Sequence, residues 1–126
     1  MKKNRKTIAI DFDGVIHKYS KGWQDGSIYD EPVEGTLEAI KKLQELGFLI
    51  IVFTTRKNTE VVSGWIYKKM GLLLSVTNEK PMAVAYIDDR GIRFEDWDTT
   101  IDKLIGYDVI KTEVGGEPSK YSYKRK

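Results

Sequence analysis

The chain has 126 residues, enough for one domain and too few for two ordinary ones. Apolar residues make up 40%, which supports a core, and no run approaches the roughly 18 apolar residues of a membrane span. With no cysteine, disulfide scaffolds, thiolate metal sites and cysteine nucleophiles are excluded, and a reducing, cytoplasmic setting fits. The net charge of +2 hides an asymmetry. Eight of the 21 basic residues lie in residues 1–6 and 120–126, leaving 13 against 19 acidic ones and a net −6 for the body between. The basic N-terminus leads into a short strand-like run, not a signal-peptide apolar region. The basic ends read as solvated, poorly ordered tails (1–5 and 115–126), or as an electrostatic handle for nucleic acid.

Residues 7–11 are a short apolar run ending in acid, the pattern of a buried strand. Residues 15–33 are polar, with Gly22 and Gly26 around Trp23, and read as a loop or small flap. Val33, Leu37, Ile40, Leu43 and Leu46 fall at helical spacing before Gly47, which predicts a helix over 33–46. Residues 48–53 are apolar on both faces, as a central parallel strand with helices on both sides requires. Asn58 or Thr59 caps a second helix, with Val62, Trp65, Ile66 and Met70 as its apolar stripe and Gly71 as its stop. Residues 72–76 and 83–87 read as strands. Asp98 caps a last helix through Ile101, Leu104 and Ile105 to Gly106, and 107–111 read as a final strand. Strands alternating with helices predict one α/β domain: Rossmann-like, three-layer α/β/α, mainly parallel, with a core over about 6–111 and no cap domain.

In an open parallel sheet, ligands bind at the carboxyl ends of the strands. After the first strand come Asp11 and Asp13, after the next Thr54, Thr55 and Arg56, and after a later one Asp88 and Asp89. Lys80 precedes Pro81, which pushes its backbone out of the helical region. Asp11 and Asp13, at i and i+2 in extended chain, leave on one side. Two such carboxylates repel unless a cation lies between them or one is protonated, and a hard cation such as Mg²⁺ suits oxygen ligands. Gly14 lets the backbone turn sharply beside them. Arg56 presents a planar fork suited to phosphate oxygens. Taken singly, each residue also has an ordinary reading: a capped turn, a helix cap, a strand end or a surface charge. His17, the only histidine, reads either as a flap residue or as lining the mouth of a site.

In order, Asp11-Phe-Asp-Gly-Val, Thr54, Lys80-Pro81 and Asp88-Asp89 resemble the four motifs of the haloacid dehalogenase superfamily of phosphohydrolases, over residues 6–110. The likeness is greater to small capless phage and bacterial members. The stretch from Tyr86 to Trp97 also resembles the phosphatase domain of polynucleotide kinase-phosphatases. The resemblance implies a phosphatase in which Asp11 is the nucleophile and Asp13 the general acid and base. It implies Mg²⁺ held by the Asp11 carboxylate, the Asp13 backbone carbonyl and Asp88, supported by Asp89. It assigns Thr54 and Lys80 to the phosphoryl group, with Gly14, Thr55 and Arg56 beside the substrate phosphate. Expected partners are a phosphorylated small molecule or a phosphorylated nucleic-acid end, with no membrane. The chain is expected to act as a monomer or homo-oligomer. A phosphotransfer receiver domain is a different class with similar groups, but it expects an acid where Thr54 stands. A non-catalytic phosphate- or Mg²⁺-binding module of the same fold is the remaining alternative.

Overall fold

The structure is a computed structural model and describes residues 6–88, 92–107 and 109–110. Among these residues the chain forms β1 (Thr7–Asp11), α1 (Thr36–Glu45), β2 (Leu49–Phe53), α2 (Thr59–Met70), β3 (Ser75–Thr77), β4 (Ala85–Asp88), β5 (Ile92–Arg93) and α3 (Trp97–Gly106). All strand pairs are parallel and the order is β3-β2-β1-β4-β5, so β1 is central. This is a single Rossmann-like α/β domain.

Register explains the core. Ile8 pairs with Ile50 and Ala85, and Ile10 with Val52 and Ile87. Strand alternation puts these six on one face, and all six are buried. Ile40 and Leu43 of α1, Ile66 of α2 and Leu104 of α3 join the same cluster, each fully buried. Each such side chain contributes roughly 1.5–3 kcal/mol by leaving water. Trp97 of α3 donates from its indole nitrogen to the Thr36 hydroxyl of α1 at 3.0 Å, so these two helices share a face. On the other face, Tyr86 is covered by the β3–β4 connection. Its hydroxyl donates to the Pro81 carbonyl, and Val84 N–H donates to the Thr7 carbonyl at 2.8 Å.

The ends of elements differ from the sequence reading for local reasons. α1 starts at Thr36, not 33, because Gly35 takes a left-handed φ of 88° and Val33 N–H is bonded to the Ile16 carbonyl at 2.8 Å. Asn58 caps α2 as expected, accepting from Val61 N–H at 3.3 Å, and Gly71 ends it at φ 71°. Strand β3 begins at Ser75, where pairing with Ile51 starts, and the buried Leu72 and Leu74 precede it. Asp96, not Asp98, caps α3, accepting from Thr99 N–H at 2.7 Å, with Asp98 in the first turn. Gly106 lies inside α3 and Tyr107 ends it. No strand forms at 107–111 in the described residues. Tyr107 N–H bonds the Lys103 carbonyl, and Val109 and Ile110 N–H bond the Leu104 carbonyl, so the chain wraps the helix end. Strand β5 was not legible in the sequence. The basic ends, 1–5 and 115–126, lie outside the described residues.

Candidate active site

The chain turns sharply after β1. Phe12 N–H still reaches the Phe53 carbonyl at 3.0 Å, and then the Phe12 carbonyl accepts from Val15, Ile16 and His17 N–H. Gly14 sits at φ 89° within that turn, and its N–H donates to the His17 carbonyl at 2.7 Å. Its contribution here is the turn itself. The fold-back brings His17 beneath Asp13.

Three N–H donors meet the two oxygens of Asp13. Arg56 Nε reaches Oδ2 at 2.9 Å, Arg56 Nη2 reaches Oδ1 at 3.0 Å, and His17 Nδ1 reaches Oδ1 at 2.8 Å. His17 Nε2 accepts the Asp30 backbone N–H at 3.0 Å, so the ring proton belongs on Nδ1, pointing at Asp13. His17 is fully buried among Phe12, Tyr19, Tyr29 and Trp65, with ring centroids 5.2–5.7 Å away. It is therefore not a mouth-lining residue. It is a support beneath Asp13.

Arg56 also joins the site to the flap. Its Nη1 donates to the Gly26 carbonyl at 2.7 Å, so its fork is divided between Asp13 and the flap. Thr54, at the end of β2, is buried, and its Oγ1 accepts Arg56 N–H at 3.1 Å. Thr55 is exposed and faces a cleft beside Asp13.

Asp11 ends β1 and Asp88 ends β4. Because Ile10 pairs with Ile87, the two carboxylates stand level on adjacent strands, on one face, and both are half-buried. Lys80 Nζ lies 4.6 Å from the centroid of the Tyr86 ring, on the face that carries Asp11 and Asp88. Asp89 lies outside the described residues. Two level carboxylates are hard oxygen donors that fit Mg²⁺, whereas the Asp13 side chain is taken by Arg56 and His17. Among the described residues no group of three or more acidic or histidine side chains converges as a metal cluster.

The flap is tied internally. Ser20 donates from its hydroxyl and its N–H to Asp30 Oδ2, at 2.6 and 3.0 Å. These bonds, with that from Glu31 N–H, pull the Asp30 carboxyl down to about 2. Tyr29 hydroxyl accepts Lys21 N–H and donates to the Gly22 carbonyl. Between flap and α2 lies a cleft of about 580 Å³, lined by Tyr19, Trp23, Ile28, Lys57 and Val61 as well as Asp13 and Arg56.

The class so defined is a Rossmann-like α/β domain whose polar residues collect at the carboxyl ends of its central parallel strands. It is similar in fold to a conserved protein of Bacteroides thetaiotaomicron of solved structure, at TM-score 0.62 and 26% identity, over 90% of this chain and 100% of that one. No protein-family model and no curated protein matches the chain.

Sequence order led to Asp11, Asp13, Thr54, Arg56, Lys80 and Asp88. It missed the support given by His17 and, apart from Trp23, which reads as a flap anchor or a stacking surface for a base, the cleft walls. Asp13 and Arg56 are 43 positions apart, and only the pairing of β1 with β2 brings them together.

Proposed function

We propose that this chain is a Mg²⁺-dependent phosphatase acting on phosphate monoesters. The observation that carries the reading is the convergence of Asp11, Thr54 and Asp88 at one end of β1, β2 and β4, with Asp13 and Arg56 beside them. The motif resemblance to haloacid dehalogenase phosphohydrolases supports the same roles.

In this reading an Asp11 carboxylate oxygen attacks phosphorus, and the bond to the leaving oxygen breaks. The leaving oxygen takes a proton from Asp13. A water then attacks the aspartyl-phosphate and gives its proton to Asp13. Inorganic phosphate leaves and the Asp11 carboxylate is restored. Asp13 can carry that proton and reach the leaving oxygen only if Oδ2 is released, and a substrate phosphate drawing on the Arg56 fork would release it. Thr54 and Lys80 steady the phosphoryl group. Asp11, Asp88 and the Asp13 backbone carbonyl would hold Mg²⁺, with Asp89 in support. Bound there, the ion offsets the charge between an anionic nucleophile and an anionic phosphate.

The test is hydrolysis of an aryl phosphate with Mg²⁺ or with chelator, beside Asp11→Asn. The expected outcome is activity that needs Mg²⁺ and falls by more than ~10³-fold in the variant. Equal turnover by Asp11→Asn would overturn the mechanism.

A further inference from the structure

The cleft beside Asp13 has more apolar wall than phosphate chemistry needs. Trp23 is 67% exposed and Val61 is 54% exposed, yet they line one cleft from opposite sides, the flap and the first turn of α2. Neither is buried in the core cluster.

The Trp23 ring is placed, not adrift. A Cβ at Gly26 would sit 3.2 Å from Trp23 Cη2 and 3.7 Å from Cζ2, so the ring edge lies against bare glycine backbone. The Gly26 carbonyl is in turn held by Arg56. Tyr19, a second aromatic wall, adopts φ 57°, a left-handed conformation that is costly for a side chain of its size. Its ring lies 5.7 Å from His17 and 6.3 Å from Tyr29. The flap thus accepts local strain and holds two rings at a cleft that also carries Asp13.

We infer that this cleft binds the leaving group of the substrate, and that the leaving group is a nucleoside whose base stacks on Trp23. The inference rests on the phosphatase reading of the same site and names its substrate class. About 580 Å³ falls within the ordinary range for a small-molecule site. A base offers a flat π-face for Trp23 and Tyr19 and an edge for Ile28 and Val61. The apolar wall of Trp23, Ile28, Val61 and Val62 gives a base face a surface that a sugar's hydroxyls would leave unused. Lys57 and Arg56 line the same cleft and match the negative charge of the phosphate.

The experiment uses Asp11→Asn, so that binding is read without turnover. Calorimetry compares adenosine 5′-monophosphate with glycerol 2-phosphate, with Mg²⁺ present. The nucleotide is expected to bind roughly 5- to 100-fold more tightly, the scale of one stacked base. Adding Trp23→Ala should bring the ratio of the two affinities toward one, and Trp23→Phe should restore most of it. Val61→Asp, on the opposite wall, should lower the ratio as Trp23→Ala does. Equal affinities in the Trp23 protein, or a ratio that Trp23→Ala leaves unchanged, would overturn the inference. Turnover separates the two readings. Wild-type hydrolysis of glycerol 2-phosphate without nucleotide preference keeps the phosphatase and overturns the cleft assignment. Trp23-dependent nucleotide binding without hydrolysis of any ester keeps the cleft and overturns the phosphatase.

Discussion

His17 spends both ring nitrogens on the protein, one on Asp13 and one on the Asp30 amide. Replacing it removes one of three donors to Asp13 and leaves a backbone N–H without its acceptor. His17→Ala is expected to lower kcat roughly 10- to 100-fold through misplacement of Asp13. Losing a buried acceptor adds about 1–3 kcal/mol of destabilisation. His17→Asn, whose amide nitrogen can stand where Nδ1 stands, should recover part of kcat. A packing role alone would leave both variants with the same kcat. At this scale the sequence was half legible. Asp11, Asp13 and Asp88 announce themselves by their place after apolar runs. The grip on Asp13 does not, because its donors come from a buried histidine and from an arginine on another strand's loop.

The flap shows how an element without regular structure is held. Its anchor is Asp30, whose carboxyl lies near 2 because Ser20 donates to it twice. A carboxyl lowered in the folded chain stabilises it above the unfolded value of 3.8, and that contribution is lost as pH falls toward about 2. Quenching of Trp23 fluorescence by acrylamide is therefore expected to rise between about pH 4 and pH 2. In Asp30→Asn the rise should be absent over that window, with quenching already high at pH 7. Identical titrations would show that Asp30 does not anchor the flap. Elements with strong end signals were readable: α2 begins at Asn58 and stops at Gly71 as its residues dictate. Helix α3 is capped two residues before the position its sequence pattern suggests. Asp96 and Asp98 are both competent caps; with Asp96 in that place Trp97 opens the helix, buried and bonded to Thr36, a contact that no local pattern reveals.

One core unites the molecule. Leu43, Ile66 and Leu104 come from three helices and belong to a single buried cluster with the strands. Leu104→Ala is expected to cost roughly 2–5 kcal/mol, a large share of the roughly 5–15 kcal/mol typical of such a domain. Urea denaturation should show one transition with a lowered midpoint, and a loss below about 1 kcal/mol would place Leu104 outside the cooperative core. The α/β class followed from the alternation of apolar runs and amphipathic helices. The passage from β3 at one edge to β4 beyond β1 did not, because residues 78–84 carry no helical pattern to mark a crossover.

The strands shorten outward, from five residues in β1 and β2 to three in β3 and two in β5. Among the described residues, the sheet thus meets its surroundings with almost no free ladder on either side. A neighbouring chain finds too few unpaired N–H and C=O groups in a row to dock as a sixth strand. Fibril-like growth along the sheet finds little ladder to extend among the described residues. Among the described residues, self-association finds side-chain contacts more readily than a strand added to this sheet.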